Sequence, residues 1–229
     1  MLDAFSSTTQ YLIPLAEIVG INIVLSGDNA VVIAMAASTL PVGQQKKAIV
    51  WGSGAAIVMR ILLTLTAVAL LSVPYLKLVG SVVLIWIGIR LLDADASNDE
   101  GEIKSGASLL AAIRTILFAD VVMSLDNVLG VAAAAEGNIP LLIIGLGLSI
   151  PVVIFGANVL LRLMQRFPVI ITLGAVVIGY VGGEMAVSDP AISGWVDLNF
   201  HALQAIVPIA CGALVLLVGK FLGARKKTA

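Results

Sequence analysis

Seven stretches of about 20 to 30 mostly apolar residues constrain this chain more than any other feature; they lie at 11–37, 48–73, 74–92, 107–135, 140–161, 168–187 and 203–222. A helix needs about 20 such residues to cross the hydrocarbon core of a bilayer. In lipid every backbone N–H and C=O must be paired within the segment or in a closed barrel, so long apolar runs imply helices. The expected fold is therefore all-α, a polytopic membrane protein with seven transmembrane helices. Composition agrees: 60% of the 229 residues are hydrophobic and 12% charged, against about 25% charged in a soluble domain. Prolines 41, 74, 140, 168 and 190 fall at or between the ends of the stretches, where a missing N–H does little harm. A single transporter domain over residues 1–229 is expected.

Lys and Arg in the short loops set the orientation. One side holds Lys46 and Lys47, Arg90 and Lys104, Arg162 and Arg166, then Lys220, Arg225, Lys226 and Lys227; the other holds Lys77. The N-terminus should face outward and the C-terminus the cytoplasm, in a bacterial inner membrane. Residues 1–10 carry no Lys or Arg, and the first apolar run contains Glu17 and Asp28, so the start reads as a retained span, not a signal peptide. Residues 93–106 open with a run of acids and read as a solvated cytoplasmic linker. Cys211 is the single cysteine and His201 the single histidine, which excludes an intramolecular disulfide and a His-rich zinc cage. Trp51, Trp86 and Trp195 suit interface anchoring. No basic patch with interleaved aromatics supports nucleic-acid binding.

An offset of 98 residues lays Val24-Leu25-Ser26-Gly27-Asp28-Asn29-Ala30 over Val122-Met123-Ser124-Leu125-Asp126-Asn127-Val128, and Asn22 over Asp120. The second spans match at Gly52-Ser53-Gly54 and Gly145-Leu146-Gly147, and the third at 78–83 and 172–177. The expected repeats cover about 11–92 and 107–187, with the helix at 203–222 outside the duplication. Three spans per repeat is an odd number, so the halves are inverted relative to one another. In inverted-repeat transporters the site lies near the midplane where halves meet.

Glu17, Asp28, Arg60, Asp120, Asp126 and Glu184 fall inside the apolar stretches. A charge at the bilayer centre costs about 2.5–3.5 kcal/mol on insertion scales, so intramembrane acids point to function. Asp28, Asp120 and Asp126 with Asn29, Asn127 and Asn22 offer carboxylate and amide oxygens, hard ligands suited to Mn2+, Ca2+ or Mg2+. On regular helices Asp28 and Asp126 point about 100° from the faces carrying Asn22 and Asp120. Convergence therefore requires unwinding or a multi-helix junction. Ser26-Gly27 favours unwinding in the first span; Leu125 in place of the glycine makes it less secure in the fourth. Glu17, Glu184 and Arg60 are candidates for a proton or ion pathway, Glu17 because a regular helix would put it on the face of Asp28, and Arg60 because it could neutralise a carboxylate. Gly52, Gly54, Gly145 and Gly147 read as packing positions.

Gly27-Asp28-Asn29-Ala30-Val31-Val32-Ile33-Ala34, with Asp120-Val121-Val122-Met123-Ser124-Leu125-Asp126-Asn127-Val128, resembles the TerC family. The short seven-span form looks like its YjbE-type branch. The resemblance covers nearly the whole chain. It implies kinship with the LysE transporter superfamily and export of manganese(II), with Asp28, Asp120 and Asp126 at the metal and Asn29 and Asn127 beside them. Asn22, standing where the second repeat has Asp120, departs from the acid pattern.

The expected function is thus a secondary transporter exporting a divalent cation, Mn2+ foremost, in exchange for protons. No Walker motif supplies another driving force. Mn2+ is substrate, with no prosthetic group, and the bilayer is the surrounding partner; self-association is open. A passive channel with the acids as a selectivity ring, and a membrane scaffold without transport, are the alternatives. An enzyme is not expected, since the intramembrane set lacks a paired nucleophile and base.

Overall fold

A computed structural model describes residues 12, 14–23, 26–71, 73–98, 108–135 and 138–227. Side chains at 67–71, 95–98, 126, 129, 199 and 226–227 lie outside that description. Among the described residues the regular structure is helical, with no strand. The helices are α1 (Pro14–Ile23), α2 (Gly27–Ser38), α3 (Val42–Leu71), α4 (Leu76–Asn98), α5 (Leu109–Ala135), α6 (Ile139–Arg166), α7 (Val169–Val187), α8 (Ser193–Asn199) and α9 (Leu203–Lys227).

Helix ends follow local chemistry. Asn138 caps α6, its side chain accepting the Leu141 N–H at 3.1 Å, with Pro140 in the first turn. Ser108 accepts the Ala111 N–H at 3.1 Å at the start of α5. Each pairing satisfies a donor that the first helical turn leaves open. The first apolar stretch is two helices: α1 and α2 meet at 48° across the break at Ser26, where φ is −107° and ψ 5°. The matching stretch in α5 is one unbroken helix of 27 residues. Gly27 against Leu125 is the local difference, and the helix breaks on the glycine side.

Among the described residues four helices are long and apolar enough to cross a membrane, namely α3 over Val42–Thr66, α6, α7, and α9 over Leu203–Arg225. The bent α1–α2 pair makes five if it is one span. α4 and α5, of 23 and 27 residues, are not among the four. The seven spans read from hydropathy thus become four or five on this stricter criterion.

The most extensive contacts run between α3 and α5, α7 and α9, and α4 and α7. The principal core is drawn from α2 to α7 and from α9 and includes Met35, Ile49, Leu84, Ile116, Met164, Ile178 and Val215 among its fully buried side chains, while Leu146 packs in a second cluster with Ile18 and Val131. Outside it, Phe118, Phe155, Leu173, Leu217 and Phe221 face outward. So much exposed apolar surface is what a lipid-solvated exterior provides, and a water-soluble monomer avoids it. Trp51, Trp86 and Trp195 are exposed as well.

Close approach of helices depends on glycine at a few points. A Cβ on Gly52 would sit 2.7 Å from Ile116, and one on Gly145 would sit 2.5 Å from Ile18. Gly183 faces the backbone of Pro208 in α9, at 2.5 Å from its Cα. Gly54 and Gly147, expected to pack, have nothing within 4 Å of an added Cβ. Two of the four glycines singled out by the repeat are therefore joints and two are not. The expected acidic linker also begins later than composition implies: α4 continues to Asn98, and Asp93 is buried. The remainder of that linker, 99–107, lies outside the described residues.

Candidate cation site

Arg60 is 2% exposed on α3 and lies at the centre of a polar cluster inside the apolar core. Its Nη1 donates to Asn22 Oδ1 at 2.6 Å and to Ser26 Oγ at 2.8 Å. Its Nη2 donates to Asp120 Oδ1, closing an ion pair. Ser26 Oγ donates to Asn22 Oδ1 at 3.4 Å, and Ser124 Oγ donates to Asp120 Oδ2 at 3.3 Å. Each serine thus reaches back four residues, one helical turn, to its amide or acid. Asn22, Ser26, Asp120 and Ser124 are all buried.

Burying a guanidinium and a carboxylate costs several kcal/mol per ion, and only good geometry with further hydrogen bonds offsets it. Here Arg60 meets three acceptor oxygens of different kinds: carboxylate, amide and hydroxyl. They come from the α1–α2 break and from α5, so the guanidinium ties the two motif-bearing segments together through α3. Thr64 Oγ1, one turn on, donates to the Arg60 carbonyl at 2.7 Å.

Asp28, half-buried in the first turn of α2, accepts the Asn29 N–H at 2.8 Å on Oδ1. It lies within charge–charge range of Arg60 and Asp120. Asn29 is 2% exposed, and neither its amide nitrogen nor its amide oxygen finds a hydrogen-bond partner. Asn22 Nδ2, Arg60 Nε and Ser53 Oγ are also buried without partners. Leaving a buried polar group unmet costs about 1–3 kcal/mol, so the unpartnered atoms of Asn22, Asn29 and Arg60 call for an explanation beyond packing.

The expected ligands are therefore only partly assembled. Asn22, Asp120 and Arg60 converge, with Asp28 nearby. Asn127 is half-buried on α5; the side chain of Asp126, one residue before it, lies outside the description. Among the described residues no three His, Cys, Asp or Glu side chains gather closely enough to hold a metal ion. Glu17 and Glu184 are exposed and stand apart from the cluster. Glu17 fails to share a face with Asp28 because the break at Ser26 interrupts the helical register on which that expectation rested. Glu184 points outward beside Tyr180, one turn away on α7. Ser26 and Ser124 were present in both motif copies but not singled out as site residues. Their spacing of four from Asn22 and Asp120 was the available signal.

The family model described as "Integral membrane protein TerC family" matches residues 7–227. Three curated proteins of Bacillus subtilis (strain 168) are similar to the chain. "Uncharacterized membrane protein YjbE" is 44% identical over 207 residues, covering 90% of this chain and 94% of that protein. "Uncharacterized membrane protein YceF" is 26% identical over 170 residues, 71% and 66% of the two chains. "Uncharacterized membrane protein YkoY" is 24% identical over 190 residues, 75% and 59%. No solved structure matches. With a family model spanning almost its whole length, and apolar helices arranged around a buried polar cluster, this chain belongs to the TerC family of integral membrane proteins.

Proposed function

We propose that the protein is a secondary transporter that exports divalent metal cations, Mn2+ foremost, from the bacterial cytoplasm by exchange with protons. One observation carries the reading: buried oxygen donors from both motif-bearing segments meet at Arg60, with the unpaired Asn29 amide and the Asp28 carboxylate close by. Oxygen-only donors in a dry interior suit a hard divalent ion. The choice of manganese within that class rests on the family resemblance.

The reading includes seven spans in two inverted repeats plus α9, with the N-terminus outside. Reciprocal contacts support it. Gly52 of the second span meets Ile116 of the fourth, and Gly145 of the fifth meets Ile18 of the first; Ile18 and Ile116 pair under the offset that superposes the motifs, and Gly52 and Gly145 are the glycines matched between the second and fifth spans. Asn22–Ser26 and Asp120–Ser124 repeat the same internal hydrogen bond. Gly80 abuts Val122 on α5, and Gly174 abuts Val31 and Met35 on α2.

The test is Mn2+ efflux from cells or proteoliposomes carrying Asp28→Asn or Asp126→Asn. Efflux should fall to background while each variant remains in the membrane at wild-type level. Wild-type efflux by both variants would sink the assignment.

A further inference from the structure

Deepening the transport reading above, we infer that Arg60 is the resident cation of the empty carrier: its guanidinium occupies the oxygen nest that the transported ion must enter, and the ion displaces it.

The geometry is that of a cation site already filled. Three oxygens of different chemistry aim at one side-chain head: Asn22 Oδ1 at 2.6 Å and Ser26 Oγ at 2.8 Å from Nη1, and Asp120 Oδ1 against Nη2. The second Asp120 oxygen accepts from Ser124. Both oxygens of the carboxylate are therefore engaged, and the one facing the nest is held by the guanidinium, whose positive charge an incoming metal ion must displace to reach it. The guanidinium is itself incompletely held, since its Nε is buried without a partner. A guanidinium presents five donors in a rigid fork, and here one of them is left unused. Beside the nest, the unpaired Asn29 amide and the Asp28 carboxylate offer further oxygens that the guanidinium does not use. An incoming ion therefore has donors to begin binding on before Arg60 lets go.

Charge count favours the same arrangement. Asp28 and Asp120 both lie within charge range of Arg60. Withdrawing the guanidinium from Asp120 exposes one more carboxylate at the moment a doubly charged ion arrives. Returning it neutralises that carboxylate when the ion leaves, so the empty site need not stand as a bare cluster of acids in a low-dielectric interior. No arginine stands at the position matching Arg60: helix α6, which carries the matching span, has its first positive charge at Arg162, near its end.

A competing internal cation makes a prediction of unusual sign. The observed affinity for an external ion is reduced by the fraction of sites free of the competitor. Removing the competitor should therefore tighten binding, whereas removing a merely structural ion pair should loosen it. Mn2+ binding is measured on purified, detergent-solubilised wild-type, Arg60→Gln and Arg60→Lys proteins of matched helix content. Arg60→Gln should bind Mn2+ about tenfold or more tighter than wild type. Arg60→Lys, which keeps a charge but loses the planar fork, should fall between them. The lysine variant also decides the matter should the glutamine variant not fold. Equal or weaker binding by either folded variant overturns the inference. If the wild type binds and exports Mn2+ while the variants bind no tighter, the guanidinium role alone fails. If neither wild type nor variants bind Mn2+, the transport reading fails with it.

Discussion

At residue scale, Asp189 does for stability what Arg60 does at the centre. It lies between α7 and α8, fully buried, and accepts backbone N–H groups from Ala191 at 2.8 Å, Tyr75 at 3.0 Å and Leu78 at 3.1 Å. It therefore caps α4 from a distant part of the chain, and it holds Tyr75 at a left-handed φ of 68°, which a tyrosine adopts at a cost. Burial pushes its carboxyl up, but the N–H donors of Ala191, Tyr75, Leu78 and Lys77 outweigh burial and hold it below the usual carboxylate range. A group depressed in the folded state stabilises fully above its unfolded value near 4 and loses that contribution as pH falls through its folded value. Asp189→Asn should cost roughly 1–3 kcal/mol at neutral pH, read by thermal unfolding in detergent. It should also flatten the loss of stability below about pH 4. An unchanged acid limb in the variant would show that other carboxylates carry it.

At element scale the glycine joints separate substitutions that look alike in sequence. Gly145→Ala drives a methyl into Ile18, and Gly183→Ala drives one into the Pro208 backbone. Overpacking of this kind costs about 1–3 kcal/mol. Gly145→Ala should be partly rescued by Ile18→Ala, because a side chain can be trimmed; Gly183→Ala should have no such rescue. Gly54→Ala, facing open space, should stay within about 0.5 kcal/mol of wild type. Unfolding midpoints of these variants and the Gly145–Ile18 double-mutant cycle check the ranking. The same joints show what could be read in advance. Glycine spacing is visible in sequence, but which glycines face a neighbour depends on helix rotation and crossing, which periodicity cannot supply in helices apolar all round. The break at Ser26-Gly27 was legible because glycine weakens a helix locally. The continuation of α4 to Asn98 was not, because acidic composition reads as loop. Arg60 was legible as a charge out of place. Its bond to Asn22 and Ser26 across 38 and 34 residues depends on packing alone.

At the scale of the whole molecule, the proposed topology places Lys46 in the cytoplasm and Ser193 outside. In a Cys211→Ser background, Lys46→Cys should react with an impermeant maleimide only after the membrane is opened. Ser193→Cys should react in intact spheroplasts. Reversal of the two patterns would invert the orientation, and labelling of both from one side would remove the odd number of spans between them.

The 48° break between α1 and α2 also has a mechanical side. α5 is a single rod, whereas the segment laid beside it by the duplication is two short rods with an elbow at Ser26. A rod can tilt but not fold; an elbow can do both. Under the proposed duplication the two matched segments are thus unequal as machinery. In the proposed transport cycle a stroke that opens one face of the protein is led by the jointed arm, and the return stroke by the same arm.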